Sequence, residues 1–147
     1  MNASGAVIVA WAGSGGTIVT DSGTVLGGFA MPVTIAPAAY RQGSPAVALN
    51  DAGQASLVWR GRTTVLAATR SAGGTWSATS QLIANASGSV DTAIDNSGTA
   101  VAAFVQYNAA AGTFPVYASQ HPAGGGVGNG GSSVHPERLR ADPPGRR

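Results

Sequence analysis

The chain has 147 residues, the length of one ordinary domain with room for a core, and it contains neither cysteine nor lysine. Disulfide frameworks and cysteine-based metal sites are therefore excluded. The formal charge of +2 does not describe the body of the chain. Through His121, Arg41, Arg60, Arg62 and Arg70 balance Asp21, Asp51, Asp91 and Asp95, and the surplus sits with Arg138, Arg140, Arg146 and Arg147. A nucleic-acid reader needs a basic stripe on its folded part, and this chain lacks one.

From the N-terminus, "ASGAVIVAW" (3–11) is a Gly followed by an apolar run. "AVIVAWA" (6–12) ends in an A-x-A pattern like a signal-peptide cleavage site, but no Lys or Arg precedes it and it is short, so a strand is the better reading. No apolar run reaches the ~18–20 residues that a membrane helix needs. Next come "TIVTD" (17–21) and "FAMPVTIA" (29–36), then "PAVALN" (45–50), "QASLVW" (54–59), "TVLAATR" (64–70) and "TWSATSQLI" (75–83). The set returns as "DTAIDN" (91–96), "TAVAAFV" (99–105) and "PVYASQ" (115–120). Runs of this length, β-branched or small and bounded by Gly, Asn, Asp or Ser, predict strands, and no helical stripe competes with them.

The runs repeat. Gly5, Gly53 and Gly98 align at spacings of 48 and 45 residues, and each is followed by an apolar run ending in a ring: Trp11, Trp59, Phe104. "NDAG" (50–53) and "DNSG" (95–98) predict tight hairpins, with an Asx side chain capping the turn and Gly supplying a positive φ. Each repeat is then an antiparallel four-stranded meander of roughly 45 residues, the period and strand count of a β-propeller blade. Near-continuous Ala- and Val-rich strands fit sheets buried on both faces. The predicted fold class is all-β, a partial β-propeller of about two and a half blades where a closed ring takes four or more. The expected division is a partial first blade over 1–36, a second over 45–83, a partial third over 90–121, and a disordered Gly-, Pro- and Arg-rich tail over 122–147. The first repeat lacks its leading strand and the third a convincing last one, so further blades of a larger propeller or a homo-oligomer are the expected partners.

"SAGGTWS" (71–77) resembles a degraded Asp-box, the S-x-D-x-G-x-T-W turn of sialidase-type (BNR-repeat) propellers. Gly73, Thr75 and Trp76 match its end, while Ser71 stands where the Asp belongs. The wider pattern is similar to repeats of uncharacterised secreted bacterial propeller proteins. The resemblance implies a propeller fold and an exported protein, though no signal peptide is recognised in the chain; the compartment is otherwise not legible.

A sialidase-like activity would need an Arg cluster, a Tyr with a carboxylate partner and an acid/base Asp. The only Glu is Glu137, in the tail, Asp51 and Asp95 belong to hairpin turns, and His121 and His135 lie in or near the tail. No catalytic residue, metal ligand or cofactor site is assigned, and no enzyme is expected. In a meander the Gly-bearing turns share one end and the variable connections the other, where sites usually sit. Tyr40, Arg41, Arg60, Arg62, Gln106 and Tyr107 are the ligand-face candidates: Arg forks for an anion, Tyr rings for a sugar face. The same residues also fit plain solvated loops. The expected function is a non-enzymatic scaffold or interaction module. A glycan-binding propeller assembled from several chains is the alternative, and the remnant of a sialidase-like glycoside hydrolase a third reading.

Overall fold

The structure, a computed structural model, describes residues 1–37, 43–84 and 86–122. Of the tail expected over 122–147, only Pro122 is among them. The described chain is all-β, its one departure a single 3-10 turn at Ser14–Gly16. Eleven strands form three antiparallel sheets, none of which closes on itself. The first sheet holds β1 (Ala6–Ala12), β2 (Ile18–Thr24), β3 (Gly28–Phe29) and β4 (Val33–Ala36). The second holds β5 (Ala46–Leu49), β6 (Ala55–Arg60), β7 (Thr64–Arg70) and β8 (Ser80–Ala84), in meander order. The third holds β9 (Ala86–Ile94), β10 (Ala100–Gln106) and β11 (Val116–His121), with β10 in the middle.

Three strands depart from the sequence expectation, each for a local reason. The run over 29–36 is split into β3 and β4, both paired to β2, because Pro32 has no N–H to give the ladder. The run over 75–83 does not become a strand until Ser80. Trp76 makes only an isolated bridge with Arg70, and the Ser77 hydroxyl accepts the Thr69 N–H at 3.1 Å where a backbone carbonyl would. Conversely, β9 starts at Ala86, ahead of the third unit expected over 90–121. Gly88 adopts φ +95°, and the register with β10 shifts between Phe104 and Gln106, so a bulge absorbs the irregularity.

The sheets pack face to face in chain order, with the second between the other two. Ile18 and Ala36 of the first sheet pack with Leu57, Trp59 and Ala68 of the second. Val58 and Val65 of the second pack with Ala86, Ala102 and Phe104 of the third. Alternation along the strands explains both clusters. In β6, Leu57 and Trp59 meet the first sheet while Val58 meets the third, so both faces of that strand are buried. In β10 only the face carrying Ala100, Ala102 and Phe104 is covered; Val101, on the other face, is exposed. Across the second junction Ser56 Oγ lies 2.8 Å from Thr92 Oγ1, whose own proton goes to the Val101 carbonyl.

The hairpin turns at 2–5, 50–53 and 95–98 are built identically. Gly5, Gly53 and Gly98 adopt φ of 79°, 80° and 90°, a region costly to residues with a Cβ. Each glycine N–H returns to the carbonyl of the first turn residue, at 3.1, 3.1 and 3.0 Å. The Asn2, Asn50 and Asp95 side chains each accept the backbone N–H four residues on, from Ala6, Gln54 and Thr99.

The turns also bond to one another. Asn2 Nδ2 donates to the Asn50 carbonyl at 3.0 Å, and Asn50 Nδ2 to the Asp95 carbonyl at 2.9 Å. One residue on, the Ala3 N–H donates to Asp51 Oδ1 at 3.0 Å, and the Asp51 N–H to Asn96 Oδ1 at 3.1 Å. Two rungs thus tie each turn to the next, each donated by the earlier repeat to the later one, and between the second and third turns Asn96 Nδ2 donates back to Asp51 Oδ2 at 3.1 Å.

Candidate functional site

Two features stand out on this scaffold. The first is a cleft of about 370 Å³ between the second and third sheets, at the end that carries the hairpin turns. Arg70, Trp76 and His121 line it together with Gln54, Ser71 and Thr75. Arg70 is the last residue of β7, paired with Ala55, and His121 is the last of β11, paired with Ala100. Ala55 and Ala100 are equivalent in the repeat, so the guanidinium and the imidazole occupy the same position in consecutive sheets. Arg70 Nη1 donates to the Gly53 carbonyl at 3.0 Å, which lays the side chain across the hairpin. Trp76 is brought to the cleft by its bridge to Arg70, and Ser71 Oγ accepts the Thr75 N–H at 3.2 Å, fixing the turn between them. The turn over 71–77 therefore forms one wall. A cation, a ring and several hydroxyls around such a volume suit a small polar or anionic molecule.

The second feature is the outward face of the first sheet. Val7, Val9 and Trp11 lie on the face of β1 away from the second sheet, beside Val19 of β2, the partner of Trp11. Their equivalents are Ala55, Leu57 and Trp59 in the second sheet and Ala100, Ala102 and Phe104 in the third. Trp59 is fully buried and Phe104 is 2% exposed, whereas Trp11 is 38% exposed. The same position of the repeat is a core residue twice and a surface residue once, because nothing among the described residues covers the outward face of the first sheet. Among the described residues β1 is also an edge strand, paired with β2 alone.

Of the ligand-face candidates from sequence, Arg60, Arg62, Gln106 and Tyr107 lie at the opposite end from the cleft and do not converge. Tyr40 and Arg41 are outside the described residues. Arg60 lines a hollow of about 470 Å³ with Gly43, Ser44, Gly88 and Val90, and none of the other described candidates joins it there. Arg62 is exposed. Gln106 spends its amide on the Ala84 carbonyl at 3.2 Å, tying β10 to the end of β8. Tyr107 packs against Phe114, ring centroids 5.0 Å apart, within its own loop.

Two carboxyls in the turns are shifted. The Ala3 N–H, and after it the Asn96 amide, hold the Asp51 carboxyl below the ordinary carboxylate range. The Ser97 hydroxyl and the Thr99 N–H do the same for Asp95. Among the described residues no three His, Asp or Glu side chains gather in one place. No helix among the described residues is long and apolar enough to cross a membrane. Comparison with protein-family models and with curated proteins returns no match for the chain.

Proposed function

We propose that the three sheets are consecutive blades of a β-propeller of the sialidase-like repeat type, and that the chain is a non-enzymatic scaffold or interaction module. Its contact surface is the outward face of the first sheet. One observation carries the reading: Val9 and Trp11 are open where Leu57 and Trp59, and then Ala102 and Phe104, are covered by the preceding sheet. An apolar face of this kind, rimmed by polar turns, marks a place for a partner. The test is a graft. A further copy of residues 43–84 placed ahead of Met1, in a chain carrying Trp59→Phe and Trp76→Phe in both copies, leaves Trp11 as the only indole. If the reading holds, acrylamide quenching of Trp11 drops severalfold on grafting and the emission moves to the blue. An unchanged quenching constant in a folded graft refutes it.

The cleft supports a second reading, a glycan-binding module. Trp76, which also packs against the cluster between the first and second sheets, supplies apolar contact, and Arg70 a cationic edge suited to an acidic sugar. Calorimetry with neutral and acidic monosaccharides tests it. The expected heat comes from the acidic sugars and disappears in Arg70→Gln; silence with both classes removes the reading.

A further inference from the structure

We infer that the open face of the first sheet takes a sheet repeat whose hairpin turn begins with an asparagine, and that Asp95 and Ala3 prevent copies of this chain from filling that place with their own third sheet. The inference rests on the reading of the three sheets as consecutive blades. It concerns which polypeptide can supply the missing neighbour.

The two junctions present define what a neighbour must offer. The earlier turn donates twice: once from its first residue's side-chain amide to the next turn's first carbonyl, and once from its second residue's N–H to the next turn's second side chain. Asn50 shows that the accepting carbonyl takes two donors, the Gly53 N–H at 3.1 Å and the Asn2 amide at 3.0 Å. The Asn2 carbonyl has the same geometry and receives the Gly5 N–H at 3.1 Å, with a lone pair left for an amide from a preceding turn.

A copy stacked head to tail would bring its third sheet against the open face. The residue in the donating place would then be Asp95. A carboxylate has no hydrogen to give, so two acceptors would face each other at rung distance. The Asp95 carboxylate is moreover turned onto its own loop, accepting the Ser97 N–H at 2.9 Å, the Ser97 hydroxyl at 2.6 Å and the Thr99 N–H at 2.9 Å. The second rung fails as well. The Asn96 N–H would point at Ala3, which has no acceptor where Asp51 and Asn96 have theirs. Both rungs are lost and one contact is repulsive. A repeat beginning with asparagine keeps the first rung and removes the repulsion.

Light scattering on the full chain over a concentration series tests this, comparing wild type with Asp95→Asn, Ala3→Asp and the double variant. Asn2 and Asn50 already build the same turn, so Asp95→Asn is expected to fold, and circular dichroism checks it. Wild type should stay monomeric. The double variant should associate at least about tenfold more tightly, the worth of one net hydrogen bond or more, and Trp11→Lys in that background should restore the monomer. Wild type assembling through the Trp11 face as tightly as the double variant would overturn the inference. So would a folded double variant that associates no better than wild type. If the graft described above shields Trp11 while the double variant stays monomeric, the inference about Asp95 falls alone; if the graft leaves Trp11 open, the blade reading falls with it.

Discussion

Trp11 and Trp59 hold the same position in consecutive repeats, 48 residues apart, yet the first is 38% exposed and the second fully buried. Identical residues thus have different energetic weight, decided by whether a sheet lies over them. Trp59→Ala should cost about 3–5 kcal/mol, the usual range for emptying a large aromatic site. Trp11→Ala should cost well under half of that. Urea titrations of the two variants check the difference; equal losses would contradict the assigned stacking.

Trp59 carries a second, quieter term. Its indole N–H is buried without a hydrogen-bond partner. An orphaned donor costs roughly 1–3 kcal/mol, and Phe104 shows that a phenyl ring serves the same place in the next sheet. Trp59→Phe should therefore be close to neutral, the removed N–H offsetting the lost apolar area. A loss as large as that of Trp59→Ala would show that the indole shape itself is needed.

Asn50 is the hub of the turn ladder. Buried, it takes the Gln54 N–H on Oδ1 at 2.9 Å, and its Nδ2 lies 2.8 Å from Gln54 Oε1 and 2.9 Å from the Asp95 carbonyl. Asn50→Asp replaces that amide donor with an acceptor facing two others, and should destabilise by roughly 2–4 kcal/mol at neutral pH. The loss should shrink in acid, because the introduced carboxyl is raised in the folded state and regains a proton to donate. Stability of the variant measured across acid and neutral pH gives the answer, and a pH-independent deficit would argue against the rung.

Asp51 and Asp95 predict the opposite slope for the wild type. Both are lowered from the ordinary 3.8, by the Ala3 N–H first for Asp51 and by the Ser97 hydroxyl first for Asp95. The folded state binds their protons less readily than the unfolded state. Their contribution is therefore complete above 3.8 and is lost as pH falls through their lower folded values. The thermal midpoint should drop on acidification below about pH 4, and the drop should be shallower in Asp51→Asn. Parallel acid limbs for the two proteins would rule out Asp51 as a contributor.

Much of the fold is legible in the sequence because the repeat writes its hairpins in side chains with one job each. An Asx residue caps the turn, a glycine three residues on takes the positive φ, and an apolar strand ends in a ring. The strands at β5, β6, β7 and β10 follow directly. Where a residue acts against its neighbours the pattern misleads: Pro32 interrupts a strand, Ser77 diverts one, and Gly88 hides a bulge inside another. The cleft was not legible. Arg70 and His121 share a repeat position, but the connection before β7 is much shorter than that before β11, so aligning the strings does not bring them together. Only the strand register does. The Gly-bearing turns look like hairpin closures alone in the sequence, whereas in the structure they wall the cleft. The exposed face of β1 needed the structure for a different reason, since burial is a property of the neighbour and not of the strand.

The rungs of the turn ladder join residues 48 and 45 positions apart, and the sheets pack in the order in which the chain makes them. Every long-range step is therefore a short one repeated, and loop closure costs about the same at each addition. A chain leaving the ribosome has the residues of its first sheet-to-sheet contact in hand before its third repeat has emerged. Folding can follow synthesis, and a chain stopped between repeats keeps whatever it has already stacked.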